Sequence, residues 1–86
     1  MTRVFITGTA GFIGFHLAGR LLGEVCVVHG YDALYDYYDV RLKEARHALL
    51  KKHNGFSCTQ ALLEDQVALD RAADDFAPDV IVHLAG

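Results

Sequence analysis

Residues 7–14 read Thr-Gly-Thr-Ala-Gly-Phe-Ile-Gly, and no other stretch restricts the fold of this chain as strongly. Ahead of them, Val4-Phe5-Ile6-Thr7 is a short apolar run, the signal of a buried strand. Behind them, Ile13, Leu17 and Leu21 recur every four residues, with Ala18 and Leu22 beside them, which makes a helix stripe. Gly23 can stop that helix in the left-handed conformation. Glycines at positions 8, 11 and 14 therefore sit at a strand-to-helix junction. There Gly8 lets the chain turn sharply off the strand, and Gly14 lets the helix pack closely on the sheet.

The same alternation continues. Val25-Cys26-Val27-Val28 is a second continuous apolar run, and it leads through His29 and Gly30 to Tyr31-Asp32. A second helix is expected from Asp36 or Asp39, whose carboxylate can cap its free N–H groups, with Tyr38, Leu42, Ala45 and Leu49 as its buried face. His53-Asn54-Gly55 is a turn signal, and Phe56 to Leu62 is a third, weaker strand. Asp65 can cap a third helix with the stripe Leu69, Ala72, Ala73 and Phe76, which Pro78 stops; Val80 to Leu84 is the fourth strand. Apolar strands alternating with amphipathic helices predict the α/β class, with a parallel sheet covered on both faces. Right-handed crossovers favour the doubly wound, Rossmann-type arrangement, here partial, with about four strands in the order 3-2-1-4.

Composition narrows the function classes. Eighty-six residues make one small domain, and 52% apolar against 22% charged residues is an ordinary globular balance. The apolar stretches are short and broken by charge, so none can span a membrane; no signal peptide is visible, and a cytoplasmic protein is expected. Net charge is −3. The densest basic cluster, Arg41, Lys43, Arg46, Lys51 and Lys52, is interleaved with Asp39 and Glu44 and reads as a solvated helix face, not a nucleic-acid surface. Cys26 and Cys58 lie in apolar runs and read as buried reduced thiols, too few and too far apart for zinc. The histidines at 16, 29, 47, 53 and 83 form no ligand pair, and His47 and His53 are expected to be exposed on a helix and its exit.

The glycine loop carries the chemistry. Gly11 would let the backbone approach a pyrophosphate with no Cβ in the way, and the following helix would offer the phosphates free N–H groups and a partial positive charge. Three glycines alone could simply make a turn. A strand before, a helix after and an acid at the end of the second strand weaken that simpler reading. The acid is Asp32, placed to accept hydrogen bonds from adenosine ribose hydroxyls. It would repel a 2′-phosphate, which favours NAD over NADP; its competing role is a turn or helix cap. Arg41 could serve a 2′-phosphate, but its helical setting argues for a surface residue.

The Gly-x-x-Gly-x-x-Gly spacing resembles that of extended short-chain dehydrogenases/reductases. Residues 11–17, Gly-Phe-Ile-Gly-Phe-His-Leu, look like the NAD-dependent epimerases and dehydratases of nucleotide sugars among them. Residues 36–46, Asp-Tyr-Tyr-Asp-Val-Arg-Leu-Lys-Glu-Ala-Arg, resemble the UDP-glucuronate 4-epimerase branch, and residues 78–86 are similar to the family's fourth strand, whose small residues lie under the cofactor. The resemblance covers the whole chain and implies NAD contacts from Gly8, Gly11, Phe12, Ile13, Gly14, Asp32, Leu84 and Ala85. Three positions depart from the family: Ala33 stands where Asn usually follows the ribose Asp, Leu62 holds the place of an adenine-binding Asp, and Ala85-Gly86 replaces Ala-Ala.

The family's Ser/Thr and Tyr-x-x-x-Lys groups lie beyond the fourth strand. Four residues after Tyr31, Tyr35, Tyr37 and Tyr38 come Tyr35, Asp39, Arg41 and Leu42, never Lys. Residues 1–86 are thus expected to be the N-terminal part of an NAD-binding Rossmann domain, with no catalytic residue and no sugar-nucleotide region. The leading reading is an NAD-binding fragment of a nucleotide-sugar 4-epimerase, inactive alone, which would meet a nucleotide sugar only in the full-length enzyme. A stand-alone nucleotide-binding module, a fragment of a sugar-nucleotide dehydratase or decarboxylase, and a non-binding structural fragment stay open beside it. Self-association is expected through the strand Val80 to Leu84, which carries no Lys, Pro or bulge signal to discourage pairing.

Overall fold

The computed structural model describes residues 2–24, 26–33 and 40–84. The chain runs β1 (Thr2–Thr7), α1 (Phe12–Leu22), β2 (Cys26–Asp32), α2 (Val40–Leu50), β3 (Phe56–Gln60), α3 (Gln66–Phe76) and β4 (Val80–His83). The four strands form one sheet in the order β3-β2-β1-β4, and every pairing is parallel. Val4 lies opposite Val28 on one side and Val80 on the other, so the C-terminal ends of β1, β2 and β4 meet along one edge of the sheet. The expected Rossmann-type topology is the one observed.

Successive residues of a strand point to opposite faces, and both faces of this sheet are used. Val4, Ile6 and Val28 turn to one side, where they pack with Ala18, Leu50 and Phe56 and with the partly buried Phe15, Leu17, Leu21 and Leu22. Phe5 and Tyr31 turn to the other, against Ala72 and Phe76 of α3 with Leu69 and Ala73 beside them. Helices α1 and α2 therefore share one layer and α3 forms the other. Each fully buried side chain such as Ile6 or Phe5 contributes about 1.5–3 kcal/mol. Asp65 caps α3 as expected, its Oδ1 accepting from the amide of Ala68 at 3.1 Å. Beyond Phe76 the chain leaves the helix through Ala77 in the left-handed region (φ 52°).

Several expectations need correction. Gly23 ends α1 in the right-handed region (φ −73°), because its N–H reaches Gly19 O and that of Glu24 reaches Leu21 O, so no left-handed turn is required. Ile13 heads the apolar stripe of α1 yet stays exposed, since the first turn projects beyond the sheet edge. The inward face of α2 is Lys43, Arg46, His47 and Leu50, whereas Leu42, Ala45 and Leu49 face outward. Helix α2 lies against the glycine loop, and the polar groups of that loop need polar partners that Leu42 or Leu49 could not provide. Cys26 and Cys58 are free thiols, half-buried at the margin of the core. The third strand ends at Gln60, and the fourth carries Val80 and Ile81 exposed. Val25, Tyr38 and the cap residues Asp36 and Asp39 lie outside the described residues. Among the described residues no helix is long and apolar enough to cross a membrane, and no cluster of metal-ligating side chains forms.

Candidate nucleotide-binding site

The site begins where β1 gives out. Gly8 has φ 87°, a conformation that side-chain-bearing residues rarely adopt, and its N–H still reaches Tyr31 O of β2 at 2.8 Å. The chain thus turns off the sheet while its last ladder bond holds. Gly14 is buried in α1, where a Cβ would stand 2.8 Å from the carbonyl carbon of Gly8 and 3.0 Å from Thr9 Cα. Its role is close packing, as expected, but against the backbone of the loop itself.

Gly11 differs from both. It is the N-cap of α1 with an extended backbone (φ −74°, ψ 168°) that any residue adopts, and a Cβ there would come within 3.3 Å of Gly8 O alone. The fold asks less of this glycine than of its two neighbours. It brings no capping side chain, and the first turn of α1 holds no acidic residue, so the helix itself supplies no charge against the positive end of its dipole. Phe12 and Ile13 open that turn with 67% and 66% of their surfaces exposed. An open helix N-terminus of eleven residues, free of Cβ at its cap, is a cradle for an anionic group.

Asp32 closes the site at the end of β2 and is only 7% exposed. Its Oδ2 accepts from the amide of Ala10 at 2.9 Å, and its Oδ1 lies 3.8 Å from Lys43 Nζ. The carboxylate therefore ties the glycine loop to the strand end, a role that reasoning from the sequence placed only among the alternatives. Arg46 Nη1 donates to Ala10 O at 2.9 Å, so Asp32 and Arg46 grip the same residue by its N–H and its C=O. Arg41 is exposed on the far side of α2.

Four contributors were missed. His47, expected to be exposed, is only 3% exposed; its Nε2 is 2.7 Å from Thr9 Oγ1 and its ring meets Phe56 edge-on. Burial lowers its pKa below the ordinary 6.5; the carboxylate of Asp32 pulls the other way, and Lys51 and Lys43 reinforce the lowering. Thr9 is fully buried over Gly30, where a Cβ would stand 2.8 Å from Thr9 Cγ2. Lys43 and Arg46, read from the sequence as part of a solvated face, point into the site. One signal was available: with α2 set at Val40–Leu50, positions 43, 46, 47 and 50 share a face at helical spacing, and their polar character fits a polar loop better than a sheet.

At the other end of the edge, Leu84 N–H bonds both the carbonyl and the hydroxyl of Thr7 at 3.1 Å, and Thr7 Oγ1 also lies 2.8 Å from His83 Nδ1. Leu84 thus flanks the start of the glycine loop, with its side chain partly exposed. Ala85 lies outside the described residues. Leu62, at the expected adenine position, is exposed and uses its carbonyl to accept from Tyr31 Oη, while Glu64 and Asp65 are exposed and Asp65 is committed to its cap. The structure therefore brings Gly8, Gly11, Phe12, Ile13, Gly14 and Asp32 together at one end of the sheet, with Leu84 beside them, and supplies no acid at position 62.

A parallel sheet ordered 3-2-1-4, a glycine loop after its first strand and an acid after its second define a Rossmann-type module of the NAD-dependent epimerase/dehydratase class. The profile of the family described as GDP-mannose 4,6 dehydratase matches residues 5–86, and the chain belongs to that family. A probable UDP-glucuronate 4-epimerase of Rhizobium meliloti (strain 1021) is 59% identical over 83 residues, covering 96% of this chain and 24% of the relative. The UDP-glucuronate 4-epimerase of Thermodesulfobacterium geofontis (strain OPF15) is 39% identical over 85 residues, 99% of this chain and 26% of the relative. Among solved structures, the UDP-glucuronic acid 4-epimerase from Bacillus cereus in complex with UDP-glucuronic acid and NAD superposes with a TM-score of 0.83 at 28% identity, over 96% of this chain and 26% of that one. The chain spans about a quarter of the length of these relatives, and corresponds to their N-terminal part.

Proposed function

We propose that this chain holds the ADP-ribose half of NAD as the N-terminal part of a nucleotide-sugar 4-epimerase acting on a UDP-glucuronate-like substrate. The observation that carries the reading is Gly11: a glycine at the cap of a helix N-terminus that has no capping side chain and no acid in its first turn, with no positive φ to explain it. In this reading the pyrophosphate lies against the amides that open α1, between Gly8 and Gly11, and Phe12 and Ile13 border it. Asp32 accepts from the ribose hydroxyls. Lys43 beside it offsets part of its charge, so the preference for NAD over NADP is moderate. Gly14 and Leu84 shape the floor and the flank.

NAD, once bound, supplies a hydride acceptor and donor at the sugar carbon. The residues of this chain bind and orient; none is assigned a proton transfer. Proton transfer from a sugar hydroxyl needs a positioned base, which the tyrosines here, without a Lys four residues on, do not form. The chain alone is therefore expected to show no turnover of UDP-glucuronate with NAD. The two relatives described above carry the name UDP-glucuronate 4-epimerase, one of them as probable, which favours this reading over a dehydratase or decarboxylase fragment. We also propose that copies of the chain associate through β4, which among the described residues pairs with β1 alone.

Isothermal calorimetry with NAD, NADP and ADP-ribose tests the binding. NAD and ADP-ribose should bind with similar, modest affinity and NADP more weakly. Gly11→Val should raise the NAD dissociation constant at least about tenfold, because its branched side chain fills the pyrophosphate position. Unchanged affinity in that variant, with a circular dichroism spectrum like that of the wild type, would mean that the glycine loop is only a turn.

A further inference from the structure

Thr9 of the glycine loop and His47 of α2 meet in the interior, both buried. We infer that their hydrogen bond is a positioning device for the nucleotide: α2 sets the shape of the loop through it, and with it the affinity of the phosphate cradle. The inference rests on the proposed function, since the quantity it controls is the binding of NAD.

The geometry is specific. Thr9 Oγ1 and His47 Nε2 are 2.7 Å apart, 38 residues apart in sequence, and both side chains are buried. Thr9 lies between Gly8, which needs its positive φ, and Ala10, which is bound at its N–H by Asp32 and at its C=O by Arg46. Those two bonds fix Ala10 along the edge. The Thr9 hydroxyl anchors the loop to α2 from Thr9 itself, and it sets how far the loop sits above β2. The methyl group of Thr9 completes the fit, resting over Gly30, where any Cβ would push it away.

The ring of His47 is itself held. Phe56 of β3 meets it edge-on, with ring centroids 5.8 Å apart. The charged groups that act on it are Asp32 of β2, Lys43 of its own helix and Lys51 just past the end of that helix, and Arg46 adjoins it in sequence. Either neutral tautomer serves the pair, because a threonine hydroxyl both donates and accepts. A buried hydroxyl and a buried imidazole that lose each other are left unsatisfied, and the loop would shift to recover a partner. Because burial holds the imidazole neutral, the pair is intact at neutral pH.

Thr9→Val removes the hydroxyl and keeps the branched shape over Gly30; Thr9→Ser keeps the hydroxyl and removes the methyl group. NAD affinity by calorimetry, urea stability, and hydrogen exchange of the Ala10 and Gly11 amides are measured for each variant at pH 7.5. Thr9→Val should raise the NAD dissociation constant about five- to tenfold and speed exchange at Ala10, while Thr9→Ser stays within about twofold of wild type. His47→Gln, which can place an amide near the Nε2 position, should recover most of the affinity lost in His47→Leu. A purely structural pair would lower the urea midpoint and leave the affinity of the folded fraction alone; that result overturns the inference, as does equal affinity for Thr9→Val and wild type. If the wild-type chain binds no NAD, the proposed function fails. The pair is then judged by exchange: faster Ala10 exchange in Thr9→Val but not in Thr9→Ser supports it, and unchanged exchange overturns it. Should Thr9→Val not fold, the contrast between His47→Gln and His47→Leu carries the same two outcomes.

Discussion

His47 and His29 are both held below the ordinary histidine pKa by burial, and they lie on opposite layers of the sheet. His29 stacks on Phe5, and its two ring nitrogens meet Ser57 and Thr59 hydroxyls at 2.7 Å; His47 meets Thr9. In the unfolded chain both take up a proton as pH falls through about 6.5; in the folded chain they resist until lower pH. The unfolded state thus binds more protons in this window. Stability from these two groups is complete above about 6.5 and is lost as pH falls below it. The urea midpoint should therefore drop between pH 7.5 and pH 5.5, and the drop should shrink in the double variant His29→Gln/His47→Gln. An equal drop in that variant would assign the pH dependence to the carboxylates instead. At this scale Gly8, Gly14 and Asp32 were legible in the sequence, because spacing and strand-end position announce them. Gly30 and Thr9 were not: their pairing joins positions 21 apart that only the β1–β2 register brings face to face.

Helix ends show the same division. Asp65 as the cap of α3 follows from a short acidic side chain ahead of an amphipathic stripe, and it holds. At the other end Pro78 correctly marks the stop, but the conformation before it does not follow from composition. Ala77 takes the left-handed region that Gly usually fills, while Gly23, which could take it, does not. A left-handed alanine costs about 1 kcal/mol. Ala77→Gly should remove that cost and give back part of it through the greater freedom of glycine in the unfolded chain. A net gain of about 0.5 kcal/mol is expected, read as a higher urea midpoint at unchanged slope. A loss of stability in the variant would mean that contacts of the Ala77 methyl group outweigh its backbone strain. Helix α2 is the element that hydrophobic spacing misplaced. Leu42, Ala45 and Leu49 form a regular apolar stripe, yet the helix turns His47 and Leu50 inward, because its neighbour is a polar loop and not only a sheet.

Across the whole molecule the two layers are unequal. Helices α1 and α2 cover one face with the larger cluster, and α3 alone covers the other. Strand β4 pairs with β1 alone among the described residues, and its Ile81 is 60% exposed beside an exposed Val80. An edge of unpaired N–H and C=O groups with apolar side chains is a template for another chain. A two-fold dimer joining β4 to its mate is the simplest closed arrangement. Sedimentation velocity from micromolar to millimolar chain should show a concentration-dependent shift toward dimer. A monomer throughout, with slow amide exchange at Val80 to His83, would exclude this edge as an interface.

The order of elements, the parallel sheet and its sequence of strands came from the sequence by itself, because apolar runs, helical spacing and glycine punctuation are local signals and right-handed crossovers leave few ways to join them. The position of the proposed nucleotide site came from it too, since the glycines fall where a strand hands over to a helix whose N-terminus can hold an anion. How that loop is held was decided only in three dimensions. Asp32, Arg46, His47 and Thr9 meet because β2 and α2 converge on the end of β1. A polar residue on a helix reads as solvated until the neighbouring backbone that needs its hydrogen bond is known. Tertiary packing supplies that neighbour, and no spacing rule within one element can.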